Sequence, residues 1–348
     1  MQRELGKIAK EIKLDNLFVK YKQKYRQIER KFKKNKRLIR AKKAQNITYN
    51  NILLNYHAIP TNEEIAQLRM ELLPKSNTFN SNRNLYDNKI FQYWHQGDSL
   101  FKAEKCGGSW KTVHKLSYLS IERYYQDKHI LIDYDSIYDY INFTPELKKT
   151  INNLLKNNRL ASISDLFRTI LLFLYGGVWC DFTVVLFNRI PENLLKKDLF
   201  FYVRGNKIPD YTIYESYNPT YFCWDNDFKV RVLNSFICAK HDNRFLGVLL
   251  YKLLQYMSCD ENVTTMHYFI YQIMFDYLIR TSFQDLYSDL SKYYSDAECH
   301  ILHKDAAVNF SEKRYFEIKN CYPIQKLNSS LPFIKGCLLY ESIIKEGF

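Results

Sequence analysis

Apolar residues recur three and four apart over long blocks of this chain, and shorter runs between the blocks are apolar throughout. The densest block spans 160–175, where Ile163, Leu166, Phe167, Ile170, Leu171 and Leu174 fall at helical spacing and predict a mostly buried helix. Ser162 or Ser164 can cap its start, and Ser162-x-x-Asp165 resembles a capping box with Asp in place of Glu. Gly176 and Gly177 stop it, because glycine accepts the left-handed conformation at a helix end. Residues 178–187 then predict one buried strand, apolar except for Asp181 and Thr183. Further core strands are expected at 89–96, 129–133, 199–203 and 232–239. Helical patterns fill 98–126 (broken near Gly107 and Gly108), 145–156, 191–195, 244–257 and 264–280, with a turn and short helix at 134–140. This alternation predicts an α/β fold, a mainly parallel sheet with helices on both faces. Residues 205–227 lack a period and read as a loop over a site.

The N-terminal part follows other rules. Phe18, Tyr21, Tyr25, Ile28 and Phe32 are spaced three, four, three, four, a heptad seam in a basic helix over 1–43. Three readings of this arm stay open. It is a peripheral membrane helix with lysines on anionic lipid, a short coiled coil that makes a homodimer, or a solvated helix lying on the body. Like charges at the flanking positions disfavour the coil. Thr61 and Glu64 resemble a capping box for a helix ending at Leu72 or Leu73, before Pro74. The Asn- and Ser-rich stretch 76–88 reads as a linker. The expected organisation is an arm at 1–45, a connecting helix and linker at 46–88, and one domain at 89–348.

Charge sharpens this division. Residues 1–45 hold 17 Lys and Arg against 4 Asp and Glu, so nearly all of the net charge of +14 belongs to the arm. A nearly neutral body argues against nucleic acid as a partner. The eight cysteines form no C-x-x-C pair and several sit in apolar runs, which suits a reducing compartment better than a disulfide scaffold or a zinc site. No apolar run reaches the length of a membrane span and no signal peptide opens the chain. The expected location is therefore the cytoplasm, peripheral on the inner face of the cell membrane.

Asp181 is the informative polar residue. A carboxylate inside an apolar run costs several kcal/mol unless it is paired or binds something. Asp165 and Arg168 lie three apart and share a helix face. Two readings follow: a site assembled from Asp165, Arg168, Asp181 and Thr183, or a structural Asp165–Arg168 pair with Asp181 capping a turn. His267, on an apolar helix, reads as a packed core residue.

The stretch S-D-x-x-R, an apolar run, then Y-G-G-V-W-x-D-x-T resembles the capsular polysaccharide synthesis proteins. These are relatives of the family 32 glycosyltransferases and, more distantly, of the clostridial glucosylating toxins. Asn234, Phe236, Ile237, Ala239 and Lys240 match a further N-x-F-I-x-A-K segment. The resemblance implies a GT-A-like, Rossmann-like nucleotide-binding sheet and a hexosyltransferase. It would move a sugar from a UDP-sugar to a hydroxyl of a growing, lipid-linked glycan, with retention of configuration, in capsular polysaccharide synthesis. It implies donor binding by Trp94, Ser164, Asp165, Arg168, Trp179 and Asp181, with Trp94 stacked on uracil and Trp179 packed on the donor. Asp165, Arg168 and Asp181 would be the catalytic group, with Asp181 and Thr183 at a divalent metal, manganese or magnesium. Thr183 stands where the family's second Asp is expected, and a hydroxyl is a poorer ligand for a hard cation than a carboxylate. That departure keeps open the alternative of a non-catalytic sugar-nucleotide or glycan-binding protein with an interaction arm. A late basic residue is implied at the diphosphate. His303, Lys304 and the Q-K-L at 325–327 are all available, and the sequence does not choose among them.

Overall fold

The computed structural model of the protein describes residues 35–75, 89–95, 112–292 and 294–348. The aromatic seam at 18–32, the linker at 76–88 and the expected break at Gly107 and Gly108 lie outside the described residues. Seven strands are present among the described residues: β1 (Ile90–Tyr93), β2 (His129–Ile132), β3 (Gly177–Cys180), β4 (Val184–Leu186), β5 (Leu199–Val203), β6 (Val232–Ala239) and β7 (Ile324–Lys326). The main sheet has the order β2-β1-β3-β6-β5. β2 and β3 pair parallel to β1, whereas β6 pairs antiparallel to both β3 and β5. Four strands thus share one direction and β6 runs against them. β5 and β6 are consecutive, and the excursion between them returns the chain in the antiparallel sense.

The helix Leu160–Tyr175 lies across this sheet and packs on β3, β6 and the helices Asn62–Leu72, Pro145–Lys156 and Arg244–Met257. It is buried nearly all round from Ser162 onward, as its apolar content requires. Its start departs from expectation. Arg159 is the N-cap with no side-chain capping bond, and Ser162 and Ser164 sit inside the first turns. Its end requires glycine, but not for a left-handed cap. Gly176 has φ 69° and ψ −159°, and a Cβ there would lie 2.7 Å from the His241 backbone nitrogen. Only glycine takes that backbone region without strain.

The strand expected over 178–187 is two strands in two sheets. Asp181 N–H donates to the Ser235 carbonyl at 2.8 Å, and Val184 N–H turns back to the Asp181 carbonyl at 2.9 Å. The chain leaves the main sheet at these polar residues and re-forms as β4, paired antiparallel with β7. A second apolar cluster surrounds β4, with Val113, Leu116, Val185, Phe187, Leu302, Ile318 and Leu339. The turn 181–183 lies where the main core and this second core meet.

Two other elements differ from the sequence reading. The helix expected over 264–280 is broken into Asp260–Thr265 and Ile270–Thr281. The His267 Nδ1 accepts the Phe269 N–H at 3.0 Å and closes the intervening turn. A helix at 35–55 runs through the boundary expected at residue 45. Its Gln45 Oε1 accepts the Lys229 N–H at 3.0 Å, its Tyr49 ring meets Tyr277 edge-on at 5.9 Å, and Lys42 pairs with Asp227 at 3.1 Å. The described end of the arm is therefore docked on the body. Residues 205–227 carry a short helix, Tyr211–Tyr217. The excursion is anchored by buried Arg204, which binds Asp296 at 2.7 Å and the carbonyls of Tyr221 and Cys223 at 3.0 and 3.1 Å. The Thr61–Glu64 capping box forms in both directions, and Pro145 opens its helix after the Thr144 cap.

Candidate active site

A cavity of about 630 Å³ opens over the carboxyl end of β3, a volume in the range of small-molecule sites. Its floor is built from the helix Leu160–Tyr175 and the turn after β3. Arg168 stands between two carboxylates, with Nη2 3.3 Å from an oxygen of Asp165 and 3.3 Å from one of Asp181. The guanidinium is held on its other sides as well. Nε donates to the Ser164 carbonyl at 3.2 Å, Nη2 to Ser164 Oγ at 3.1 Å, and Nη1 to the Asn234 carbonyl. Asn234 Nδ2 donates to Asp165 at 2.8 Å, and Gln272 Nε2 in turn donates to Asn234 Oδ1 at 3.0 Å.

One wall is aromatic. Trp94 lines it together with Tyr93, His114 and Phe182, its ring 4.8 Å from that of His114 and 5.3 Å from that of Phe182. The opposite wall brings Tyr221 from the anchored excursion and His300 and His303 from the chain that precedes β7. Tyr268, lifted out by the helix break at 266–269, is 68% exposed on the rim.

The model of the family described as capsular polysaccharide synthesis protein matches residues 41–336. The chain belongs to that family. No curated protein matches it. Every side chain lining the cavity of this capsular polysaccharide synthesis protein falls inside the matched stretch, whereas most of the basic arm precedes it. Among the described residues no helix is long and apolar enough to cross a membrane.

Of the residues singled out in the sequence, Trp94, Ser164, Asp165, Arg168, Asp181 and Thr183 all line this one cavity. Trp179 does not. It is 1% exposed and lies behind the floor, where its Nε1 donates to Asp181 Oδ1 at 2.8 Å and its ring faces the Arg168 guanidinium at 5.1 Å. In this family member the indole positions the carboxylate and presents no open face to a ligand. The Asp165–Arg168 ion pair and the turn at Asp181 are both present, and the same residues form the cavity floor.

Of the late basic residues that the sequence left open, Lys326 and His303 line the cavity and Lys304 does not. β7 pairs with β4 in a register that sets Lys326 opposite Val184, and Lys326 Nζ donates to Thr183 Oγ1. The ammonium is 3.8 Å from Asp181 Oδ2. Gln325, fully buried, fixes β7 by accepting the Leu302 N–H at 2.8 Å and donating to the Glu298 and Tyr322 carbonyls at 3.0 and 2.8 Å. Lys304 points elsewhere and pairs with Asp210 at 2.6 Å. The Q-K-L triplet was the available signal, but only strand pairing separates it from the other late basic residues.

Burial and charge set the protonation states. Burial pushes the Asp165 carboxyl up to about 6, against the pull of Arg168 and with the push of Asp181, while the Asn234 bond draws it back. For Asp181 burial acts in the same direction. There Arg168 and Lys326, together with hydrogen bonds from Trp179 and Ser235, outweigh it and hold the carboxyl below its usual range. Burial lowers Lys326, partly offset by Asp181. Burial also holds His300 and His303 down, to about 3 and about 4, so both rings are neutral at pH 7.

A test of the Asn234 bond follows. Asn234→Ala removes a donor that favours charged Asp165, so the carboxyl should titrate higher. If charged Asp165 is needed, the acid limb of the pH profile of kcat/KM should move to higher pH in the variant. A uniformly lower rate with an unmoved limb would reject this role.

The described residues do not fit a divalent metal. No group of three or more His, Cys, Asp or Glu among them is placed to hold one. Thr183, the expected second ligand, has its hydroxyl engaged by Lys326, and Oδ2 of Asp181 faces the same ammonium at 3.8 Å. A hard dication needs several oxygen ligands, and here it would sit beside a fixed positive charge.

Proposed function

We propose that the protein is a glycosyltransferase of GT-A-like architecture that moves a sugar from a nucleotide diphosphate, a UDP-sugar, to a hydroxyl of a growing capsular glycan. The observation that carries this reading is the Asp165–Arg168–Asp181 group, held at the carboxyl end of β3 under an aromatic wall. Ligands of α/β sheets sit at that end of the strands. The one reversed strand, β6, fits a GT-A-like sheet better than an all-parallel Rossmann one. Trp94 would stack on the base, Ser164 and Asp165 would orient the sugar, and Asp181 would hold the ribose. Asp165 and Asp181 are the only carboxylates among the described residues lining the cavity, and both are tied to Arg168. Neither is free to act as a nucleophile, so the retention that the family resemblance implies is proposed without a covalent intermediate. The acceptor hydroxyl would bond to the anomeric carbon as the bond to the diphosphate breaks, and its proton would leave with the phosphate. The full-length protein incubated with a panel of UDP-sugars should release UDP. A folded protein that binds UDP but releases none from any donor would be a binding module instead.

We also place the enzyme at the inner face of the membrane, where a lipid-linked acceptor would be reached. The net charge of 1–45 supports this, and so does the described part of the arm. There Ile39, Ile47 and Leu54 lie exposed about two turns apart, beside exposed Lys36, Arg37, Arg40 and Lys43. Each Lys or Arg near an anionic surface contributes about 1 kcal/mol, screened by salt. Full-length protein should pellet with anionic vesicles at low salt and come off at high salt. A chain lacking residues 1–34 keeps the docked helix and should lose most of this binding. Equal pelleting by both chains would sink the membrane reading, and a dimer lost on truncation without vesicle binding would favour the coil.

A further inference from the structure

We propose that Lys326 takes the place of a metal ion and supplies the positive charge that the leaving diphosphate needs. The proposal rests on the nucleotide-sugar reading above and deepens it. Among the described residues, Arg168 and Lys326 are the only Lys or Arg side chains lining the cavity. Arg168 is already committed to two carboxylates, two carbonyls and the Ser164 hydroxyl. Lys326 is not. One of its three N–H groups has a hydrogen-bond acceptor among the described residues, the Thr183 hydroxyl, and its side chain is 20% exposed towards the cavity.

The choice of Thr at 183 then has a physical reason. A neutral hydroxyl accepts a hydrogen bond from the ammonium and fixes its position without cancelling its charge. A carboxylate there would neutralise Lys326 or recruit a dication. The hydroxyl and the ammonium therefore work as a pair that replaces a carboxylate and a metal. Gln325, buried and fully bonded, makes the placement rigid, which electrostatic stabilisation of a developing charge requires. When the anomeric bond breaks, its electron pair goes to the diphosphate oxygen. Lys326 would donate a hydrogen bond to that oxygen and keep its own proton.

The test is nucleotide binding by the full-length protein, measured by calorimetry in excess chelator and again with manganese, using UDP and GDP as probes. Wild type should bind one of them equally well in both buffers. Lys326→Ala should weaken binding in both by about tenfold or more, as expected when a charged hydrogen bond is lost. Lys326→Arg should recover part of it, and guards against a folding defect in the alanine variant. Thr183→Asp combined with Lys326→Ala should bind only with manganese. Wild-type binding that needs manganese, or unchanged binding by Lys326→Ala, would overturn the proposal and leave the nucleotide reading standing. No binding of either nucleotide by wild type in either buffer would remove both.

Discussion

Asp181→Asn should reduce kcat/KM for transfer about a thousandfold, the upper end of what one preorganised electrostatic group contributes, while the protein stays folded. The amide keeps the size of the carboxyl and an oxygen for the Trp179 N–H, which the carboxylate accepts at 2.8 Å. What it removes is charge. Arg168 then retains one of its two counter-ions, and Lys326 loses the carboxylate 3.8 Å away. The ribose contact proposed for Asp181 weakens too, so donor and floor lose register together. Circular dichroism should show native secondary structure beside the lost turnover. Because Asp165 and Asp181 act on one guanidinium, combining Asp181→Asn with Asp165→Ala should cost less than the sum of the two. Near wild-type turnover by a folded Asp181→Asn protein would remove Asp181 from the reacting site.

The largest loss of stability is expected from Arg168→Met. Methionine fills much of the volume over Trp179 but leaves Asp165 and Asp181 without the cation between them. Removing one partner of a buried ion pair costs about 3–5 kcal/mol, because the remaining charge is uncompensated. The deficit carries a pH signature. Without Arg168 both carboxyls should titrate higher in the folded state than in the unfolded chain. The folded state then binds more protons, so the variant's stability falls as pH rises through the raised range and recovers on acidification. Denaturant melts should therefore show a wider gap from wild type at pH 8 than at pH 5.5. A gap that is the same at both would mean that lost packing, not lost charge compensation, sets the cost.

Much of this site can be read from the chain because it is local. Asp165 and Arg168 lie one helical turn apart, and Asp181 follows the glycine stop within a few residues, so period and punctuation place them together. What was not legible depends on partners far away in sequence. The run 178–187 is buried in both halves, so its polarity pattern does not reveal that the second half belongs to another sheet. Trp179 is aromatic whichever way it points; only the β1 and β6 pairings turn it into the core. The break at 266–269 contains neither glycine nor proline and is closed by a side-chain bond from His267, which no local breaker rule detects. Lys326 reaches Thr183 across 143 residues.

That separation has a consequence for how the protein is made. All five strands of the main sheet precede residue 240, whereas β7 is among the last elements to leave the ribosome. During translation the carboxylate floor is complete long before its second cation exists. A stop codon anywhere between Ala239 and Ile324 would yield a chain that contains the whole main sheet but has nothing to set against Thr183. On the proposal for Lys326, such a product would bind a nucleotide diphosphate more weakly, so a prematurely released chain would compete poorly with the finished protein for it.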